Sequence, residues 1–150
     1  MSGAEIRFFE PGDIAAILEI QSHSREAAQW SRVAYENLGR AGEQAWVSER
    51  DSRVVGFLVA RAMAAEMEIL NLAVAENVRR EGIGAELLRE ALRWSAQNQA
   101  ERVFLEVRVS NIAARKFYEA HGFVSAGVRA KYYRDPSEDA LLLTCMLEGK

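Results

Sequence analysis

Three strand-like runs follow one another in the middle of the chain, and this succession constrains the fold more than any other feature. The runs cover residues 44–49, 54–62 and 66–74, and the polar turn 50–53 separates the first two. Because short turns join consecutive strands as hairpins, the three runs predict an antiparallel meander. A chain of 150 residues is long enough to cover such a sheet with helices and to bury one core.

Helical periodicity places four helices around this meander. The strongest predicted helix has one apolar face, which is formed by Ile83, Leu87, Leu88, Ala91, Leu92 and Ser95. Shorter helices are predicted after Pro11, over residues 31–38 and over residues 111–121. Four more strands are predicted over residues 6–9, 102–107, 123–131 and 140–147. The order predicts one α/β domain over residues 1–150, with a mixed sheet of about seven strands flanked by about four helices.

Composition and charge exclude several functional classes. A chain with 49% hydrophobic and 27% charged residues is typical of a globular protein. The net charge of -3 argues against a nucleic-acid surface, which needs a basic excess, and the apolar runs are too short to span a bilayer. The first residues lack the basic stretch and apolar run of a signal peptide. We therefore expect a cytoplasmic protein that binds neither nucleic acid nor membrane.

The cysteine and the histidines do not indicate a redox or metal site. Cys145 is the only cysteine and lies in an apolar run, where a role as a small buried hydrophobic residue is favoured over a nucleophilic one. His23 and His121 are far apart and have no ligand spacing around them, so no metal is predicted.

A loop with two glycines precedes the amphipathic helix. Gly82 and Gly84 stand where the loop becomes a helix, so the free amides of the first turn and the helix dipole would point outwards. Glycine allows a ligand to approach the backbone closely, and a pyrophosphate would fit there. A dinucleotide fingerprint would need a glycine at Leu87, and a P-loop would need a Gly-Lys-Ser/Thr sequence that is absent. The alternative is that the two glycines have a structural role only and allow the chain to turn tightly into the helix.

This loop resembles the coenzyme A pyrophosphate motif of the GNAT acetyltransferase superfamily, Gln/Arg-x-x-Gly-x-Gly/Ala. The resemblance implies that acetyl-CoA contacts the loop and helix start, which comprise Arg79, Arg80, Glu81, Gly82, Ile83, Gly84 and Ala85. The preceding strand end also matches the strand that pairs with the pantetheine arm in this superfamily, which adds Leu72, Ala73 and Val74 by position. An ordinary buried strand is compatible with the same residues.

An acidic residue interrupts the apolar strand 102–107. Alternation places Glu106 on the face of Phe104 and Arg108, opposite the apolar residues of that strand. Amide formation from a thioester needs a neutral amine, so a base is required near neutral pH. A solvated glutamate, or one paired with Arg108, explains the pattern equally well.

Further motifs resemble the bacterial ribosomal-protein-alanine N-acetyltransferases, in which a glutamate is the base and a tyrosine the acid. The matching stretches are Trp30-Ser31, Leu105-Glu106-Val107-Arg108, Ser110-Asn111, Phe117-Tyr118-Glu119, Gly122-Phe123, Tyr132-Tyr133 and Glu138-Asp139-Ala140. The resemblance implies a mostly antiparallel sheet, Glu106 as base, Tyr118 as acid and Asn111 as a coenzyme contact. From the residues alone, Asn111 also suits a helix N-cap and Tyr118 a packed helix aromatic.

The same resemblance implies that the acceptor is the α-amine at a protein N-terminus, the alanine of a small-subunit ribosomal protein. Trp30, Tyr132 and Tyr133 would then bind the peptide, although Ala28-Gln29 stands where the family commonly has Phe-Pro before the tryptophan. Two other functions stay open at this point. One is a GNAT enzyme that acts on a small-molecule amine, and the other is a non-catalytic sensor of acetyl-CoA.

Overall fold

The computed structural model describes residues 3–134 and 136–147, and these residues form one sheet with helices on both faces. The strands are β1 (Glu5–Phe8), β2 (Glu43–Arg50), β3 (Arg53–Met63), β4 (Glu66–Val74), β5 (Arg102–Arg108), β6 (Val124–Tyr133) and β7 (Glu138–Met146). The helices are α1 (Ile14–Ser22), α2 (Arg32–Glu36), α3 (Ile83–Gln97) and α4 (Ile112–Glu119). The strand order is β1-β2-β3-β4-β5-β7-β6, and every neighbouring pair is antiparallel except β4 with β5. The predicted α/β class and mostly antiparallel sheet are confirmed.

The predicted elements differ from the observed ones mainly at their ends. Ser31, which was predicted inside a helix, is an N-cap whose side chain accepts the Ala34 amide hydrogen, and Asn111 is the N-cap that its residue type suggested, accepting the Ala114 amide hydrogen. The turn between β2 and β3 is shorter than predicted, because Asp51 and Ser52 alone form it, both with positive φ. That backbone matches the twist of the flanking strands, so each strand gains a residue.

Strands β4 and β5 pair only at their beginnings. Three register pairs join them, Glu66 with Arg102, Met67 with Val103 and Glu68 with Phe104, and no further pair is present among the described residues. Beyond that point β4 pairs with β3 only, whereas β5 pairs with β7. The two strands therefore separate towards their carboxyl ends and leave a wedge in the sheet.

A bulge in β4 lies at this wedge. Val59 of β3 pairs with Asn71, whereas Ala60 pairs with Ile69, so Leu70 is an extra residue in β4. The bulge changes which side chains face each helix layer. Before it, Ile69 packs in the larger core with α3, and after it, Ala73 packs in the smaller core with α1 and α2.

Close packing sets the position of α3 on the sheet. A Cβ atom at Gly56 of β3 would lie 3.0 Å from Cγ2 of Ile83 and 3.2 Å from Cδ1 of Leu87, so only glycine lets the first turns of α3 come this near. Most of the predicted apolar face of α3 is buried, with Leu92 half-buried at its edge. Within residues 3–134 and 136–147, no helix combines the length and the apolar character that crossing a bilayer requires.

Candidate active site

A cavity of about 670 Å³ occupies the wedge between β4 and β5. Its walls are residues 24–28, 68–74 and 105–108, together with Arg79, Asn111, Ala114, Tyr118, Tyr132 and Tyr133. The cavity therefore brings together both predicted catalytic residues and half of the predicted binding residues. The polar groups along β4 that face the wedge have no strand partner there, and an elongated ligand with amide groups could pair with them.

Glu106 lies on β5 inside this cavity, and its side chain is only 12% exposed. One carboxylate oxygen, Oε2, lies 3.0 Å from Nη2 of Arg129 on β6. Arg108 does not pair with it, because that guanidinium binds Glu138 and two backbone carbonyls. The alternative of a solvated or Arg108-paired glutamate is therefore wrong, and Glu106 is a nearly buried carboxylate held by a more exposed arginine.

Tyr118 reaches the same cavity from α4. Its ring is 6% exposed and packs edge-on against Phe117 and Phe123, with centroid separations of 5.0 and 5.3 Å. No described residue forms a hydrogen bond with its hydroxyl group, and burial raises the pKa of the phenol above its ordinary value. The tyrosine is therefore a packed aromatic, as the simpler interpretation expected, and it also presents a protonated hydroxyl at the cavity.

The first backbone amides of α3 lack acceptors within the described part of the chain. Gly82 is the N-cap residue with φ of 86°, and no acceptor among the described residues bonds the amides of Ile83, Gly84 and Ala85. An ideal Cβ at Gly84 would lie 3.7 Å from Val74 and from Phe117, so the helix start adjoins the end of β4. These exposed amides can bind an anion such as a phosphate.

The predicted cofactor residues fall into two groups in the structure. Leu72, Ala73, Val74, Arg79 and Asn111 line the cavity, whereas residues 80–85 lie outside its lining. The Arg79 guanidinium bonds the Val74 carbonyl, the His23 carbonyl and the Ser24 hydroxyl, and Glu81 pairs with Arg50. The Ile83 side chain is buried in the core, so only its main chain can contact a ligand.

Aromatic residues form the wall opposite β4. Tyr132 and Tyr133 line the cavity, and the guanidinium groups of Arg129 and Arg108 lie 4.4 and 4.6 Å from their respective ring centroids. Burial, followed by the charge of Glu106, raises the pKa of Tyr133 to about 12. Trp30 is not part of the cavity lining, because its ring packs against Tyr35 in the smaller core. Its predicted contact with a peptide stays a prediction.

Two parts of the site were not predicted from the sequence. One is residues 24–28, which line the cavity and belong to the α1–α2 segment, residues 23–30, where Trp30 alone was predicted to bind substrate. The other is Asn71, a buried polar residue in an otherwise apolar stretch of β4. That interruption was the available signal, since buried asparagines need hydrogen-bond partners.

The two histidines and the cysteine, which the sequence analysis considered as metal or redox groups, contact other residues of the protein. His23 pairs with Glu19, and Nδ1 of His121 lies 2.8 Å from the Phe117 carbonyl oxygen. In the part of the chain that the structure describes, no group of three or more histidine, cysteine or acidic side chains could hold a metal ion. Cys145 is half-buried rather than fully buried and packs against the larger core.

The fold and the cavity define a class of protein. A mostly antiparallel sheet opens between two parallel strands, with a free helix start at one end of the opening and a carboxylate and a tyrosine within it. This is a site for an elongated ligand with an anionic end and for acid–base chemistry at the other end.

The chain belongs to the acetyltransferase (GNAT) family, which matches residues 13–123. It is therefore an N-acetyltransferase. It is 35% identical over 115 residues to an N-alpha-acetyltransferase of Sulfurisphaera tokodaii, with 68% of each chain covered. The crystal structure of the ribosomal-protein-S18-alanine N-acetyltransferase from Escherichia coli superimposes with a TM-score of 0.84 at 27% identity, over 97% of this chain and 94% of that one.

A further structure supports the fold alone. It is a GNAT family acetyltransferase from Elizabethkingia anophelis with acetyl-CoA bound, at 19% identity and a TM-score of 0.82. The comparison covers 98% of this chain and 100% of that one.

Proposed function

We propose that this enzyme transfers the acetyl group of acetyl-CoA to the α-amine at a protein N-terminus, and that the target is the alanine of a small-subunit ribosomal protein. The observation that carries the proposal is the wedge cavity, where Glu106 from β5 and Tyr118 from α4 line one space. The relative from S. tokodaii is an N-alpha-acetyltransferase, and the E. coli neighbour acts on the alanine of ribosomal protein S18. Both names support a protein α-amine as the acceptor.

Acetyl-CoA fits the arrangement of main-chain groups. Its pyrophosphate would bind the free amides of residues 83–85, and its pantetheine arm would pair with the wedge-facing side of residues 72–74. The two sites are continuous, because Gly84 adjoins Val74. Oδ1 of Asn111 serves the N-cap, whereas its side-chain nitrogen Nδ2 bonds none of the described residues and is available to the ligand. Membership of the acetyltransferase (GNAT) family supports an acetyl donor at this site.

Glu106 would act as the base for the acceptor amine. An α-amine has a pKa near 8, so most of it is protonated at neutral pH and must lose a proton before attack. In the structure, Nη2 of Arg129 lies 3.0 Å from Oε2 of Glu106. We propose that the acceptor's ammonium group replaces this guanidinium, which swings out easily because its side chain is 61% exposed. Glu106, directly or through water, then takes one proton, the neutral nitrogen forms the new C–N bond, and this nitrogen releases a second proton to water as the amide forms.

Tyr118 would supply the proton that the departing thiolate needs. Its raised pKa keeps the phenol protonated at neutral pH, which is the state that a general acid requires. As the C–S bond breaks, the phenol proton passes to the sulfur, and coenzyme A leaves as the thiol. Bulk water can then restore the proton to the tyrosinate.

A turnover comparison tests the proposal and separates the alternatives. Three acceptors are assayed by thiol release: a peptide that begins with alanine, the same peptide with a blocked N-terminus, and a small polyamine. The free peptide should exceed both others by about tenfold or more in kcat/KM. Preference for the polyamine would favour a small-molecule enzyme. Coenzyme binding without thiol release for any acceptor would favour a sensor.

A further inference from the structure

The α1–α2 segment lines one end of the cavity without regular secondary structure of its own. Residues 24–28 form the wall there, and Arg25 and Ala28 are exposed to solvent. A segment of this kind opens easily unless other parts of the protein hold it. At its start, the Arg79 guanidinium bonds His23 and Ser24. Its middle is held by a different residue.

Asn71 bonds the backbone of this segment in both directions. Its Oδ1 accepts the Ala28 N–H at 3.1 Å, and its Nδ2 donates to the Ala28 carbonyl at 3.0 Å. One side chain thus supplies the donor and the acceptor that a neighbouring strand would otherwise supply. The asparagine is 5% exposed, so both bonds are shielded from water.

A buried polar network orients the asparagine amide. Nδ2 of Asn71 also donates to the Tyr35 hydroxyl, which donates to Oε1 of Gln21 at 2.6 Å. The Gln21 amide in turn donates to the Trp30 carbonyl at 2.6 Å, at the end of the same segment. Each amide therefore has a defined orientation, and rotation of either one would break a buried hydrogen bond.

The bulge in β4 is what directs Asn71 towards the segment. Ile69 faces the larger core, so in a regular strand without a bulge residue 71, two positions further on, would face that side as well. With the bulge, Asn71 faces Tyr35 in the smaller core. Bulges re-aim side chains in this way next to active sites.

We infer that Asn71 is a positioning residue for the acceptor substrate. It fixes the α1–α2 segment against β4 and so shapes the end of the cavity where the acceptor amine and the first residues of the peptide enter. Because this inference assumes that an acceptor occupies that end, its kinetic part rests on the proposed function. The attachment of the segment to β4 can be tested without activity.

Limited proteolysis measures the attachment. Trypsin can cleave after Arg25 within the segment, and also after Arg53 at the start of β3, next to a turn that Asn71 does not contact. In Asn71→Leu, cleavage after Arg25 should accelerate about tenfold or more relative to cleavage after Arg53, since local opening controls native-state proteolysis. Ser48→Ala is the matched control, because Ser48 is a fully buried polar residue in the same sheet whose hydroxyl bonds no group in the described part of the chain. It should leave the ratio unchanged.

Steady-state kinetics measures the effect on the acceptor. In Asn71→Leu, the KM of an alanine-starting peptide should rise about tenfold, with the KM of acetyl-CoA and the kcat within about threefold of wild type. Asn71→Asp provides the same test if the leucine variant does not fold. Its carboxylate still accepts the Ala28 N–H but cannot donate to the Ala28 carbonyl, so an intermediate rise is expected.

The outcomes separate this inference from the proposed function. An unchanged Arg25 cleavage ratio in a folded Asn71 variant would overturn it, and so would faster cleavage with an unchanged peptide KM. Equal rises in the KM values of peptide and acetyl-CoA would also overturn it, because they indicate general distortion of the site. If the wild type acetylates no α-amine at all, the proposed function fails, and the attachment is then judged by proteolysis alone.

Discussion

The two ends of the cavity are built in different ways. The end assigned to the coenzyme consists of main-chain groups from two stretches close in sequence, β4 and the start of α3. The end assigned to the acceptor consists of side chains and a loop from distant parts of the chain, residues 24–28, Glu106 and the β6 tyrosines. Main-chain recognition depends on backbone geometry, whereas side-chain recognition depends on particular residues. The first end therefore suits a constant coenzyme, and the second can change with the acceptor.

The difference also predicts how each end responds to substitution. Changes at the coenzyme end should matter only when they block the backbone, while changes at the acceptor end should matter through charge and hydrogen bonding. Glu106 and Tyr118 both line the cavity and are assigned to proton transfer, so their effects should be confined to chemistry.

The largest effect is expected for Tyr118→Phe. The ring and its packing against Phe117 and Phe123 remain, but the phenol proton is lost, so kcat should fall by roughly 10² to 10⁴-fold. Acetyl-CoA affinity, measured by calorimetry, should stay close to wild type. An acetyl donor with a more acidic thiol should restore much of the rate. If this variant turns over normally, Tyr118 is only a packed aromatic.

A somewhat smaller loss is expected for Glu106→Gln. Turnover near neutral pH should fall by roughly 10²-fold, because the amine then lacks a base. The α-amine loses its own proton above its pKa of about 8, so the deficit should shrink as the pH rises to about 9.5. Coenzyme binding should be nearly unchanged. If kcat, measured with saturating acceptor, is reduced by the same factor at every pH, Glu106 has a structural role instead.

A side chain placed over the free amides at the start of α3 tests the coenzyme end of the cavity. Gly84→Val should weaken acetyl-CoA binding by at least ~1 kcal/mol, since the branched side chain would stand among the free amides of the helix start. A single Cβ fits there at ordinary contact distance, so the fold should tolerate the change. Ala96→Val adds a similar bulk near the other end of α3 and should leave calorimetric affinity unaltered. If Gly84→Val binds acetyl-CoA within about 0.5 kcal/mol of wild type, the coenzyme phosphates do not bind at the start of α3.

The smallest effect is expected at the acceptor end, for Arg129→Gln. If the guanidinium competes with the acceptor's ammonium for Glu106, its removal should lower the peptide KM by about two- to fivefold, the scale of a partly exposed ion pair. Arg129→Lys keeps the charge and should stay near wild type. A higher peptide KM in Arg129→Gln would show instead that the arginine helps to bind the acceptor.

The same contrast explains what the sequence could predict. Helical and strand periodicity predicted the order of all seven strands and four helices, because local patterning determines these elements. The free helix start also followed from Gly82 and Gly84, which are adjacent to it in the chain. The placement of Glu106 on the non-core face of β5 followed from alternation.

The acceptor end depends on contacts that no local pattern encodes. The ion pair between Arg129 and Glu106 joins residues on two strands separated in the sheet by β7. The bonds between Asn71 and Ala28 span 43 residues and require a bulge, and a one-residue irregularity leaves no periodic signal. Trp30 was assigned to the peptide by resemblance, yet its ring packs in the smaller core. Such features become visible only when the chain is folded.

Locating the acetyl group on the product tests the central claim most directly. The wild-type enzyme is incubated with acetyl-CoA and a peptide that begins with alanine and contains an internal lysine, and tandem mass spectrometry then identifies the modified nitrogen. Our account predicts acetylation of the alanine α-amine, with the lysine unmodified and with the product lost in Glu106→Gln at neutral pH. Acetylation of the lysine alone, or equal α-amine product from wild type and Glu106→Gln, would contradict it.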